Sequence, residues 1–353
     1  MAQRQWSMMG TVILLKLPDL AVSPLAVADD PAGSLLRATG NGNAAAVGSN
    51  NTAASDSEKP AAWSEILLDQ AEAFLQEAEH RFSANDPQAE LGAVNQAAGQ
   101  QPVAVHPQLF ELISAGVRHS LAPDSNLNIA IGPLVQTWRI GFDDARVPAA
   151  KEIRRLVQLT DPRKIRLDPA AHTVFLEEAG MRIDLGALAK GYIADVLLDW
   201  LQAQGVLWAL LNLGGNLVVY GPTPTQADGR WRVGIQDPGK PRNEYLEVLA
   251  LAAADGPFSV VTSGIYERHL EQDGRSYHHI LDPRTGYPQE TDVVSLTVIS
   301  RRSVDGEIWT THLFGQPQDT VLAELEAQPE LEGILVDRTG AIRHTSGIAA
   351  LLA

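Results

Sequence analysis

Beyond Arg166 the chain reads as one short apolar strand after another, and that run limits the possible folds more than any other feature. Thr173 to Leu176, Met181 to Leu185, Trp208 to Leu213, Leu217 to Tyr220, Trp231 to Ile235, Leu246 to Ala252, Phe258 to Ser263 and Val293 to Ser300 each hold strand-forming residues between Gly, Pro, Asn or Asp breakers. Gly333 to Asp337 and Ile342 to Thr345 add a hairpin around Thr339-Gly340. One clear helix interrupts the run from Leu188 to Gln204. Leu188, Tyr192, Val196, Trp200 and Leu201 form its stripe, with Gly205 as its C′ residue. Helical spacing marks Ala62 to Phe82, Pro107 to Leu121, Pro133 to Trp138, Pro148 to Leu159, Ser303 to Phe314 and Thr320 to Ala327. Thr11 to Leu17 reads as a strand, and Asn128 to Gly132 as a short strand or turn. Antiparallel-looking strand runs with a few flanking helices give an α+β fold class.

The 353 residues suit one large domain or two modest ones, and the spread of elements favours a single domain over 1–353. Residues 21–59 are rich in Ala, Asn, Ser, Gly and Asp, and they read as a mobile low-complexity insertion. The net charge of −16 argues against a nucleic-acid partner, which needs a basic surface. The absence of cysteine excludes disulfides, thiolate catalysis, zinc fingers and lipidation on Cys. No apolar run is long enough to span a membrane. Ala26-Val27-Ala28 looks like a signal-peptidase site, but Lys16 and Pro18 break the apolar run before it. A cytoplasmic location is therefore expected.

Four segments could carry chemistry. In Asp184-Leu185-Gly186-Ala187-Leu188-Ala189-Lys190-Gly191-Tyr192, a strand runs into a helix whose free amides could meet phosphate, with Lys190 as a point charge. The same letters also fit a glycine-tightened junction with a solvated lysine, and Tyr192 rules out a Walker A loop. Asn212-Leu213-Gly214-Gly215-Asn216 is a hairpin turn. From Ser303 to Thr311, helical spacing puts Glu307, Thr310 and Thr311 on one face, a hard-oxygen cluster suited to Mg²⁺. Alternatively Ser303 caps that helix, with Asp305 and Glu307 at its positive end. Finally, Tyr277-His278-His279-Ile280-Leu281 runs into a tight turn, Asp282 to Gly286, which fixes whatever precedes it. A histidine pair is as a rule structural.

In this order and spacing, the segments resemble the ApbE family of FAD:protein FMN transferases. Met9-Gly10-Thr11, Phe82-Ser83, Glu90-Leu91 with Asn95, Gly132-Pro133-Leu134-Val135 with Trp138, Asp184 to Tyr192, Asn212 to Gly215, Thr262-Ser263-Gly264 with Tyr266, and His279 to Gly286 all match family blocks. Glu307 to Phe314 falls where the family has Asp-x-x-x-Thr-x-Leu-Phe. The resemblance implies a T-fold-related architecture. It also implies Mg²⁺-dependent transfer of the FMN moiety of FAD to a Ser or Thr hydroxyl of an acceptor flavoprotein, releasing AMP. An FAD pyrophosphatase or a non-catalytic flavin-binding protein is the alternative.

Carried over residue by residue, the resemblance places Met9, Asp184, Lys190 and Leu281 at flavin-nucleotide contacts. Ala187 (through its carbonyl), Glu307, Thr310 and Thr311 fall at the metal, and His279 near the attacking hydroxyl. Four further flavin-contact positions depart from the usual pattern. Asn85 stands for a Tyr, and Asn126-Leu127-Asn128 stands for Ala-Phe-Asp. Glu307 replaces an Asp, lengthening that side chain by one methylene.

Overall fold

The computed structural model describes residues 1–20 and 62–353. The 21–59 segment, with Ala26-Val27-Ala28, lies outside the described residues. The chain opens with a hairpin of β1 (Ala2–Met8) and β2 (Thr11–Leu17). Helices α1 (Trp63–Phe82) and α2 (Glu90–Gln96), strand β3 (Val103–Ala104), and helices α3 (Pro107–Ser120), α4 (Gly132–Trp138) and α5 (Ala150–Val157) follow. Next come β4 (Ile165–Asp168), β5 (Thr173–Leu176), α6 (Ala189–Ala203), β6 (Ala209–Leu213) and β7 (Asn216–Tyr220). The rest runs β8 (Trp231–Gln236), β9 (Tyr245–Leu251), β10 (Phe258–Gly264), β11 (His269–Gln272), β12 (Arg275–His278), β13 (Val293–Ser300), α7 (Ser303–Leu313), α8 (Gln318–Glu326), β14 (Glu332–Asp337) and β15 (Ile342–His344).

The principal sheet has eight strands in the order β1-β2-β6-β7-β10-β13-β14-β15, every neighbouring pair antiparallel. Spatial order follows chain order, so the sheet is a meander with excursions spliced between its strands. The largest excursion separates β2 from β6 and holds the first six helices and the small β3-β5-β4 sheet. The hairpins β8–β9 and β11–β12 are the two others made of strands. These pairings bear out the α+β, antiparallel reading.

Two tight turns show why the chain reverses where it does. Met9 and Gly10, between β1 and β2, both take positive φ (54° and 67°), as do Gly214 and Gly215 between β6 and β7 (63° and 91°). A two-residue turn with positive φ at both positions matches the strand twist. A side chain at Gly214 would also run into Thr11, whose Oγ1 would lie 2.1 Å from the new Cβ.

The stripe of α1 (Leu67, Leu68, Ala71, Phe74, Leu75 and Ala78) is buried in the main core with the inward residues of β2 and β6 and the apolar side of α6. Full burial of one Leu or Phe side chain is worth about 1.5–3 kcal/mol. A second cluster joins β8–β9 to β10, β13 and β14 around Trp231 and Leu249, and a third lies under α8 around Leu313 and Leu325. Strand β13 is therefore covered on both faces, and seven of its eight residues are buried.

Three local expectations change. Met181 to Leu185 forms no strand, because the Asn95 amide takes the backbone groups a neighbouring strand would use. Its Oδ1 accepts from Ile183 N–H at 2.7 Å, and its Nδ2 donates to Ile183 C=O at 3.0 Å. Ser303 does not cap α7; it sits inside the first turn, fully buried, and the N-cap residue is Arg302. Strand β1 carries too little apolar pattern to be seen in sequence, since only Ala2 and Trp6 turn inward.

Helices α6 and α7 pack backbone to backbone at Gly191. A Cβ there would lie 2.6 Å from Ser303 O and 2.8 Å from Val304 Cα. Gly191→Ala should therefore cost about 1–3 kcal/mol by overpacking, read as a lower urea midpoint. An unchanged midpoint would show that the helices can part without loss.

Candidate active site

Helices α6 and α7 bring two of the sequence segments together. The Asp195 carboxylate, on α6, accepts from the N–H groups of Ser303 (2.7 Å) and Val304 (3.0 Å), the first residues of α7. Arg302 Nε lies 3.5 Å away. Burial pushes the Asp195 carboxyl up to about 6, with the two N–H groups pulling the other way. The cap that α7 lacks in its own sequence thus comes from another helix.

This docking sets Lys190 against Glu307. Lys190 Nζ donates to Glu307 Oε1 at 2.8 Å and lies 3.5 Å from the Gly186 carbonyl. Asn216, first residue of β7, donates to the same Oε1 at 2.9 Å. Ser303 Oγ fixes that amide by donating to Asn216 Oδ1 at 2.6 Å. Glu307 is 4 % exposed, so it is a buried carboxylate held by one cation and one amide. Asn216 and Ser303 act through this chain, and the sequence marked neither as a site residue. The only signal for Asn216 is a polar residue at an inward strand position next to a family block, and for Ser303 a polar residue at the start of a helix.

Asp184 lies at the mouth of the same turn. Its Oδ1 accepts from Gly186 N–H at 2.8 Å. Burial raises its carboxyl above the ordinary range, against the pull of that N–H and of the Arg268 and Arg182 charges.

The two histidines of the pair have different surroundings. His278, the last residue of β12, is buried and donates from Nε2 to the Gln289 carbonyl at 3.0 Å. His279, just past the end of that strand, is half-buried. The Arg268 carbonyl lies 3.2 Å from both its backbone N and its Nδ1. A carbonyl only accepts, so Nδ1 carries the proton and Nε2 keeps its lone pair. Burial, then the Arg268 charge, push the ring down to about 4, and the Lys190 charge adds to this. The following turn is as tight as its sequence demands: Gly286 has φ 74° and donates to the Asp282 carbonyl at 2.7 Å.

The remaining sequence candidates are placed as follows. Thr311 is half-buried, whereas Thr310 is fully buried and donates to the Glu307 carbonyl of its own helix at 3.1 Å. Ala187 is half-buried in the turn beside Gly186. Met9 packs partly on the main core, and its N–H donates to Glu79 at 2.7 Å. Leu281 is 6 % exposed among Leu134, Trp138 and Ile153, so only its backbone is free to meet a ligand. Asn126 is buried: its amide donates to the Phe314 carbonyl (2.7 Å) and accepts from Arg284 (2.6 Å). Leu127 is core. Asn128 caps a short 3-10 turn through Ala130 N–H (2.8 Å) and donates to the Thr160 carbonyl. Asn85 is exposed and accepts from Gln136 at 2.7 Å. Thus Lys190, Glu307 and Asn216 are brought into direct contact, with the Gly186–Ala187 turn beside them. The side chains of Asn126, Leu127 and Asn128 are committed to the fold.

Among the described residues, no group of three or more His, Cys, Asp or Glu gathers as a metal site. The donors that the family resemblance assigns to a metal are one carboxylate (Glu307), one hydroxyl (Thr311) and one carbonyl (Ala187). All are hard oxygens, and one carboxylate completed by substrate phosphates is an ordinary donor set for Mg²⁺. The residues fit that ion in kind.

The family model described as "ApbE family" matches residues 47–335. The chain belongs to the ApbE family. An FAD:protein FMN transferase of Klebsiella pneumoniae is 42 % identical over 274 residues, covering 78 % of this chain and 83 % of the relative. One from Treponema pallidum is 36 % identical over 303 residues, 83 % of each. The ApbE fold recurs in the crystal structure of the Thermotoga maritima ApbE protein, with a TM-score of 0.77 at 21 % identity, over 100 % of this chain and 99 % of that one. No helix of the described residues is long and apolar enough to cross a membrane.

At pH 7, ¹⁵N spectra of the histidine rings should show His279 neutral, with its proton on Nδ1. The ring should resist protonation until the pH nears 4. Because the folded ring binds a proton less readily than the unfolded chain, His279 contributes stability above about pH 6.5. That contribution is lost as the pH falls towards 4. A ring titrating near 6.5 would contradict this.

Proposed function

We propose that the chain transfers the FMN moiety of FAD to a Ser or Thr hydroxyl of an acceptor flavoprotein. The observation that supports this most is the pairing of Glu307 with Lys190 beside the Gly186–Ala187 turn, opposite a neutral His279 with a bare Nε2. The names of the Klebsiella and Treponema relatives point the same way.

The acceptor oxygen bonds to the phosphorus on the FMN side. The bond from that phosphorus to the bridging oxygen breaks, and AMP leaves with the bridging oxygen. The hydroxyl proton passes to His279 Nε2, since Nδ1 already carries a proton. A ring of such low basicity suits a loose transition state, in which orienting the hydroxyl matters more than early proton removal. Glu307, Thr311 and the Ala187 carbonyl would hold Mg²⁺, which when bound supplies neutralising charge to the diphosphate. Thr310, turned into its helix, buttresses Glu307 and is left out of that set. Leu281 and Asp184 would meet the nucleotide, the former through its backbone.

The test is incubation with FAD, Mg²⁺ and an acceptor fragment carrying a Thr or Ser flavinylation site. A fluorescent flavin band that survives denaturation is expected. Thr311→Ala should weaken the Mg²⁺ dependence and the yield, and His279→Ala should slow transfer by roughly 10²–10⁴-fold. Free FMN and AMP without a labelled acceptor would identify a pyrophosphatase, and bound, unchanged FAD a carrier. Full activity of Thr311→Ala would remove the metal assignment.

A further inference from the structure

The block from Thr262 to Tyr266 ends β10 and leads into Arg268, whose guanidinium has no partner in the reading above. Arg268 has two ends with different surroundings. Its carbonyl fixes the His279 ring. Its side-chain stem lies over Gly141, beyond the end of α4, where a Cβ would fall 2.7 Å from Arg268 Cδ and 3.3 Å from Cγ. Gly141 holds φ at 94°, so that bare backbone is favoured there on two grounds.

The other cations around the site are engaged. Lys190 is paired with Glu307 at 2.8 Å. Arg284 is paired with Asp282 at 3.0 Å and donates to Asn126. Arg182 is partly buried and is held by one hydrogen bond to the Ala84 carbonyl at 3.3 Å, while its buried Nε has no partner. The Arg268 guanidinium is exposed and makes no hydrogen bond or ion pair among the described residues. Its charge nevertheless reaches both Asp184 and His279. An unneutralised planar fork at the edge of this site matches two oxygens of a phosphoryl group.

We propose that Arg268 is a substrate-binding residue whose guanidinium receives the diphosphate oxygens of FAD on the His279 side of the site. This rests on the reading of FAD as the substrate. With Lys190 committed to Glu307, Arg268 supplies the positive charge that the diphosphate needs before any metal arrives. It thereby places the phosphorus beside the ring that its own carbonyl orients.

The test uses the full chain without Mg²⁺ and follows flavin fluorescence on titration with FAD, with riboflavin, and with inorganic pyrophosphate as competitor. Arg268→Gln should weaken FAD binding about 10- to 100-fold, the loss of a charge-assisted hydrogen-bonding group. It should leave riboflavin, which has no phosphate, unchanged, and abolish competition by pyrophosphate. Arg268→Lys, keeping the charge without the fork, should recover part of the loss. Matching thermal unfolding of the variants with the wild type excludes a folding defect, as expected for an exposed side chain. Wild-type affinity for FAD in Arg268→Gln, with undiminished pyrophosphate competition, would overturn the proposal. Should the wild type bind no FAD, the functional reading fails by itself. Direct calorimetry with pyrophosphate, bound by the wild type and lost in Arg268→Gln, then still decides whether Arg268 is an anion site.

Discussion

The Asp195 carboxylate at the start of α7 is the contact on which the rest of the site depends. It joins the helix that carries Lys190 to the helix that carries Glu307 and Thr311, across more than a hundred residues of sequence. Gly191, one turn earlier, lets the two backbones touch. A buried carboxylate raised to about 6 is ionised at neutral pH only because two N–H groups and the positive end of α7 receive its charge. The helix dipole and the carboxylate satisfy each other, and Lys190 and Glu307 inherit their register from that match.

Charge around the site is partitioned, not pooled. Glu307 has its own cation and amide, Arg284 has its own carboxylate, and the histidine is neutral. An arrangement paired in this way leaves few soft degrees of freedom, which is what phosphoryl transfer by positioning requires. The extra methylene of Glu307 is taken up within this network: its carboxylate reaches Lys190 and Asn216 while its backbone carbonyl engages Thr310.

Much of this was legible in the letters. Apart from the β11–β12 hairpin, the strands from Trp208 onward, the long helices, the Gly205 stop and the Asp282–Gly286 turn all follow from periodicity and turn chemistry, and they stand where expected. What escaped the sequence depends on distant partners. Asn95 silences a strand by bonding Ile183 from 88 residues away. Asp195 caps a helix it does not belong to, and Thr310, at helical spacing from Glu307 and Thr311, is fully buried with its hydroxyl on the Glu307 backbone carbonyl. Helical spacing gives the angle between residues, but which angle faces the core is decided by the packing.

The meander order of the principal sheet bears on how the molecule is made. Strand β2 pairs with β6, so Ile13 waits for Leu213. At about 5–20 residues per second, the ribosome takes roughly 10–40 s to supply that partner. Throughout this interval the β2 edge of the β1–β2 hairpin is open, with Val12 and its neighbours available to any strand nearby. Closing so long a loop is entropically slow. Asn216 arrives just behind β6, but Glu307 lies 91 residues further on, so the site assembles only after that edge has been covered.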